Sequence, residues 1–165
     1  MARRAAGAAL AKGLFGPLQA GTVPNRSATN LLAALVHTAK AGKVSQRVGA
    51  IFTADVAQAF PSVRPHRMYY RLLNLGFEAK FAVFAKSFLT GRTVRLRLGG
   101  PSRQAPSLPQ GSPLSPMLFA LYIAPLAQGR DDLYNYVDDI AVFVSARTYN
   151  GAKKLLADRF AEVRE

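Results

Sequence analysis

A chain of 165 residues, half of them hydrophobic, has the size of one domain or part of one, with enough apolar material for a sizeable core. It has no cysteine, which excludes a disulfide framework and any Cys-based zinc site, and no uncharged apolar run approaches the roughly 20 residues that cross a bilayer. The formal charge of +13 calls for a polyanionic partner, nucleic acid before membrane, and it is nearly unopposed: no Asp or Glu precedes Asp55, and only Glu78 is acidic between Asp55 and Asp131.

In chain order, Met1-Ala2-Arg3-Arg4 and the Ala-rich stretch behind them read as a helix start, because Lys12 interrupts the apolar run; a targeting role is the lesser alternative. Residues 13–21 form a glycine-punctuated loop. Ser27 is a good N-cap for a helix whose stripe is Leu31, Leu32, Leu35, Val36 and Ala39, and Gly42 can end it. His37 has no second ligand at metal spacing and reads as a surface residue. After a basic connector of Lys40, Lys43 and Arg47, residues 48–54 are continuously apolar and end in Asp55. That pattern predicts a central strand buried on both faces with a carboxylate at its tip.

Ala59-Phe60-Pro61 reads as a turn, and Pro65 opens a helix carrying Met68, Tyr69, Leu72 and Leu73 that Gly76 closes. Phe81, Phe84, Ala85 and Phe88 mark the next helix at core spacing, which favours packing over base stacking. Residues 92–98 read as a two-faced strand, with Val94, Leu96 and Leu98 opposite Arg95 and Arg97, turning at Gly99-Gly100. With Arg92, its basic face could follow a phosphate backbone or simply face solvent. Ser115 and Pro116 suit the N-cap and first residue of a helix bearing Leu118, Leu121 and Tyr122, broken near Pro125.

Tyr134 and Tyr136, then Ile140, Val142 and Val144, alternate with polar residues on either side of Asp138-Asp139, the period of a hairpin with two carboxylates at its tip. Alone, such a pair is more often a solvated turn than a site. Thr148 can cap a last helix with Leu155, Leu156, Phe160 and Val163 on its buried face. Together these elements give β-α-β-β-α, an α+β chain whose split βαβ layer would set Asp55 beside Asp138 and Asp139 at one sheet edge. Three carboxylates that close repel one another and call for divalent cations.

The residues resemble the reverse transcriptase domain of non-LTR (LINE-like) retrotransposons through most of the chain. Gln19-Ala20-Gly21 with Pro24-Asn25-Arg26-Ser27-Ala28 is similar to the family's finger motif, and Thr53-Ala54-Asp55-Val56-Ala57-Gln58-Ala59-Phe60 to its first catalytic motif. Ser87-Phe88-Leu89-Thr90-Gly91-Arg92 resembles the segment before the glutamine loop, Leu108-Pro109-Gln110-Gly111-Ser112-Pro113-Leu114-Ser115-Pro116 that loop, and Tyr136-Val137-Asp138-Asp139 the polymerase signature. The signature alone is unspecific; the series in this order is specific.

The resemblance implies a palm-and-fingers fold with a split βαβ (RRM-like) palm and helical fingers. Its fingers portion would be about residues 1–47, and residues 48–165 mainly palm, with a basic strand insertion near 92–107. It implies an RNA-directed DNA polymerase working with an RNA template, a DNA primer and deoxynucleoside triphosphates. Asp55, Asp138 and Asp139 would be catalytic and hold two Mg²⁺ ions, for which Mn²⁺ could substitute, with the Val56 carbonyl helping. Phe60 would lie under the sugar and exclude a 2′-hydroxyl, while Gln58 and Ala59 would offer N–H groups to the triphosphate. Gln110, Gly111 and Ser112 would line the nascent base pair, and Arg26, Arg92, Arg95 and Arg97 would contact nucleic acid.

Ser107 stands where the family usually has glycine, and Asn30 where an acidic residue is common. The chain ends at Glu165, ahead of the family's conserved-lysine segment, primer-gripping hairpin and thumb, and so reads as incomplete at its C-terminus. A nuclear or cytoplasmic location is expected if it belongs to an active retroelement. Two alternatives stay open: a remnant that binds nucleic acid without extending a primer, and a metal-dependent nuclease, which gives no role to the glutamine loop or Phe60.

Overall fold

The computed structural model describes residues 1–91, 93–94, 103–104, 108–109 and 111–164, and the chain divides into two compact units, residues 15–56 with 124–165 and residues 1–14 with 57–123. The first unit holds a four-stranded mixed sheet. Its strands are β1 (Gln19–Ala20), β2 (Val48–Asp55), β5 (Leu133–Tyr136) and β6 (Asp139–Ala146), in the order β1-β5-β6-β2, with β1 parallel to β5 and the other pairs antiparallel. Ile140, Val142 and Val144 bury alternate positions of β6, and with Ala127 and Leu133 they make a core against which Phe52, Leu155, Leu156 and Val163 pack.

Helix α7 (Tyr149–Arg164) packs on β2 and β6. As expected, Thr148 caps it: its Oγ1 accepts the Gly151 N–H at 3.1 Å. The ring of Phe160, half exposed, meets Phe52 edge-on at 5.3 Å. Arg159 ties the helix to Asp132 at the start of the hairpin (2.9 Å) and to Glu162 (2.8 Å). These contacts hold its guanidinium above the ordinary arginine range, through the hydrogen bond to Glu162 first and the charge of Asp132 second.

Strand β2 differs from the expected central strand. Among the described residues it pairs only with β6, and its positions alternate between exposed and half-buried, Ile51 being 46% exposed. Gly49, Ala50 and Ala54 hid that alternation, because small apolar residues tolerate either environment.

Helix α2 (Ala28–Val44) starts where expected. Ser27 Oγ accepts the Asn30 N–H (3.2 Å), and Asn30 Oδ1 accepts the Ser27 N–H (2.9 Å), a complete capping box. Asn30 thereby does what an acidic residue would do at this position, so the departure from the family pattern leaves the cap intact. Gly42, however, does not end the helix. It lies within it, its missing Cβ facing Ser145, and the left-handed residue after the helix is Gln46 (φ 52°). The expected apolar stripe also stays open: no residue of α2 is buried, and Leu32 is 61% exposed.

The second unit is mainly helical: α1 (Ala2–Ala11), α3 (Ala59–Ser62), α4 (Pro65–Asn74), α5 (Ala79–Leu89) and the first part of α6 (Leu114–Ala127). Pro65 and Gly76 (φ 73°) bound α4 as predicted, with Met68 and Leu72 fully buried. Helices α4 and α5 pack on each other, and the buried residues of α5 are Ala82, Ala85 and Leu89. Of the expected core positions only Ala85 is buried; Phe81, Phe84 and Phe88 stack on one another at 6.5 and 6.2 Å, with Phe84 37% exposed, so the rings are not the core residues their spacing suggested.

The 59–61 turn is the first part of α3. Helix α6 begins one residue before its expected cap and carries Ser115, 1% exposed, inside it. Its first turn is served instead by Ser112, whose Oγ accepts the Leu114 N–H at 3.3 Å. The helix also continues through Pro125 to Ala127, since in the last turn a proline forfeits one hydrogen bond and buried apolar contacts keep the rest in place. Of the basic strand, β3 (Thr93–Val94) pairs with β4 (Arg103–Gln104); Arg92, Arg95, Arg97, Ser107 and Gln110 lie outside the described residues. No helix among the described residues is long and apolar enough to cross a membrane.

Candidate active site

The hairpin of β5 and β6 closes with the pair Tyr136 and Asp139, leaving a two-residue connection, Val137-Asp138. Such short connections require a left-handed residue and favour Gly, Asn or Asp there. Here the position is taken by Val137 at φ 57°. For a β-branched side chain this is an outlier, costing of order ~1–3 kcal/mol. Opposing that cost, the buried Asn135 (2% exposed) donates both amide hydrogens across the turn, to the carbonyls of Val137 at 3.0 Å and Asp139 at 3.2 Å. At about 1 kcal/mol for each such bond, the two together offset most of the strain.

The register then sets the carboxylates. Asp55 is the cross-strand partner of Asp139, the last pair of the β2–β6 ladder, and the Val56 N–H donates to the Asp138 carbonyl at 3.3 Å, fastening the turn to the end of β2. Asp55 and Asp139 are exposed and Asp138 is half-buried. Like charges directly opposite one another weaken a strand pair, so the end of this ladder is built against its own stability. Among the described residues, no group of three or more His, Cys, Asp or Glu side chains is arranged to hold a metal ion. The paired Asp55 and Asp139 have the hard oxygen donors that suit Mg²⁺ or Mn²⁺, but Asp138 does not complete a three-ligand group with them.

Strand β1, unrecognised from the sequence, packs beside the turn. Its Gln19 is the register partner of Asn135 and Ala20 that of Tyr136, while the Asn135 N–H donates to the Leu18 carbonyl at 2.9 Å. Gly21 (φ 88°) comes so close that a Cβ there would stand 2.6 Å from Val137 Cγ2. Gly21→Ala should therefore cost more than about 1 kcal/mol of stability, from φ strain and contact together. Thermal unfolding of the variant checks this, and an unchanged midpoint would contradict it. Arg26, expected to reach nucleic acid, places Nη1 on the carbonyls of Gly16 and Gln19 (3.1 Å to the latter), bracing the segment that carries β1. Between α2 and the sheet lies a cavity of about 410 Å³, lined by Leu31, Leu35, Tyr134 and Ile140 and also by Asp55 and Asp139.

The helical unit carries the remaining expected residues. Gln58 is exposed at φ 52°, Ala59 is buried, and the half-buried Phe60 leans on Phe119, ring centroids 5.4 Å apart. The Phe60 carbonyl accepts the N–H of Leu108 at 3.4 Å, joining α3 to the start of the 108–116 loop. Gly111 has open space around it, so its φ of 88°, rather than crowding, is what favours glycine there. Asn135 was missed in the sequence, and Gln19 and Gly21 were named in the finger motif without the strand that sets them beside the turn. Alternation assigned Asn135 to the solvent side of its strand, whereas Leu133, Tyr134 and Asn135 are all buried. The available signal was an Asn two residues ahead of a turn occupied by Val.

The chain is strongly basic and sets two carboxylates opposite one another at the end of an antiparallel ladder. The chain matches the family model described as reverse transcriptase (RNA-dependent DNA polymerase) over residues 3–165, and it belongs to that family. No curated protein matches it.

Proposed function

We propose that the chain carries palm-and-fingers elements of an RNA-directed DNA polymerase of the non-LTR retrotransposon kind, with residues 1–47 as fingers and residues 48–165 mainly palm, including a basic strand insertion near 92–107. The observation that carries the reading is the pairing of Asp55 with Asp139 beside the Asp138 turn, in a member of the reverse transcriptase family. Asp55 and Asp139, with Asp138 and the Val56 carbonyl, would hold divalent cations. Bound there, two such ions would activate the primer 3′-hydroxyl and neutralise the leaving pyrophosphate. Phe60 would pack against the deoxyribose, Gln58 and Ala59 would offer N–H groups to the triphosphate, and Gln110, Gly111 and Ser112 would contact the nascent base pair. Arg92, Arg95 and Arg97 would track the nucleic-acid backbone, with Arg26 bracing its own loop as well.

The test is single-nucleotide incorporation on an RNA template with a DNA primer, run beside a binding titration of the same duplex. Template-directed incorporation that requires Mg²⁺ or Mn²⁺ is expected. Binding should be mostly electrostatic: if about six phosphates are neutralised, affinity falls by roughly 10³-fold between 50 and 200 mM salt. A flat salt response would remove the backbone-tracking surface from the reading. Salt-sensitive binding with no incorporation would favour the second reading, a chain that binds nucleic acid without extending a primer. The lack of a three-carboxylate group among the described residues leaves that reading in play.

A further inference from the structure

The two donors of one buried amide bracket Asp138, which puts control of the carboxylate turn in a residue that is not itself a carboxylate. We propose that Asn135 is a positioning residue: it holds Val137 in its left-handed conformation and so fixes where Asp138 and Asp139 stand relative to Asp55. This rests on the reading of those carboxylates as a metal site. Asn135 is 2% exposed, and its Nδ2 reaches the carbonyls on either side of Asp138, at 3.0 and 3.2 Å. Its own backbone is held by Leu18 and by register with the fully buried Gln19, so the amide cannot follow the turn if the turn relaxes.

The acceptor end of the same side chain supports this assignment. Asn135 Oδ1 is buried without a hydrogen-bond partner among the described residues, a cost that fits an amide kept for its donor end. Without the two donors, Val137 gains by leaving φ 57°. Rotation about the Val137 N–Cα bond would swing the chain that follows, withdraw the Asp138 carbonyl from the Val56 N–H, and turn both carboxylates with it. No other side chain of this size does the same work: Asp would set acceptors against two carbonyls, and Leu has no donors.

The test combines Asn135→Ala with Val137→Gly, since glycine adopts positive φ without help. Mn²⁺ binding, followed by the magnetic resonance signal of the free ion, is expected to weaken about 10–100-fold in Asn135→Ala, the range for residues that orient ligands. Val137→Gly alone should change it little, and the double variant should recover most of the loss. Unchanged affinity in Asn135→Ala, or a double variant as weak as Asn135→Ala, would overturn the proposal. The same cycle is read in metal-free protein by urea unfolding, where the penalty of Asn135→Ala should be smaller in the Val137→Gly background; additive penalties also overturn it. If the native chain bound no Mn²⁺ while the penalties remained coupled, the metal reading would fail and the clamp would stand. Should Asn135→Ala fold only in the Val137→Gly background, that rescue is the coupling expected.

Discussion

Asp139→Asn and Asp55→Asn are expected to lower nucleotide incorporation by more than about 10²-fold while making the metal-free chain more stable. Residues that merely orient a metal's ligands are worth 10–100-fold, so removing a ligand should cost at least as much. The stability change has the opposite sign because the two carboxylates are cross-strand partners at the exposed end of a ladder, where opposed like charges weaken the pair by up to ~1 kcal/mol. Asparagine keeps the shape and removes one charge. Incorporation rates and thermal midpoints of the two variants, measured without and with Mn²⁺, check both halves. In the native chain Mn²⁺ should raise the midpoint by binding only the folded state, and in the variants that rise should shrink. Loss of incorporation with no change in the Mn²⁺-induced shift would separate the carboxylates from metal binding, and native rates in both variants would remove them from the chemistry.

The same residues show what the sequence made legible. Period-two apolar patterning located the β5–β6 hairpin, and with it the tip carrying Asp138 and Asp139, because alternate burial of Ile140, Val142 and Val144 is a local consequence of one covered face. Caps at Ser27 and Thr148 were legible for a like reason: the side chain and the backbone group it satisfies lie within three residues. What escaped depended on partners far along the chain. Strand β1 has two residues and exists because β5 offers an edge to it. The edge position of β2 follows from pairing and not from its own composition, and the burial of Asn135 follows from β1. The strain at Val137 was invisible for a different reason: nothing in Tyr-Val-Asp-Asp says which residue takes the left-handed position. The site was thus legible as a list of carboxylates, and its geometry only once the pairing was known.

The helical unit gives the largest expected loss of stability, Phe119→Ala, and couples it to the proposed choice of sugar. Phe119 is 1% exposed in α6, and its ring meets that of Phe60 at 5.4 Å. Truncating a fully buried phenylalanine costs roughly 3–5 kcal/mol, a large share of the ~5–15 kcal/mol that holds a domain together. The cavity would open under Phe60, whose carbonyl also holds Leu108 at the entrance to the 108–116 loop. Two elements proposed to meet the nucleotide therefore rest on one side chain. Phe60→Val, by contrast, should cost only about 1 kcal/mol beyond its lost area, from the ring pair, while admitting ribonucleotides more readily. Phe119→Leu refills most of the space without a ring, so it should fold and yet loosen the same discrimination. Denaturant unfolding ranks the three variants, and competition between ribo- and deoxyribonucleotides in single-turnover incorporation reads the gate. If Phe60→Val leaves the preference unchanged, Phe60 is a packing residue and nothing more. If Phe60→Val relaxes it but Phe119→Leu does not, the gate stands on its own and the ring beneath it serves stability alone.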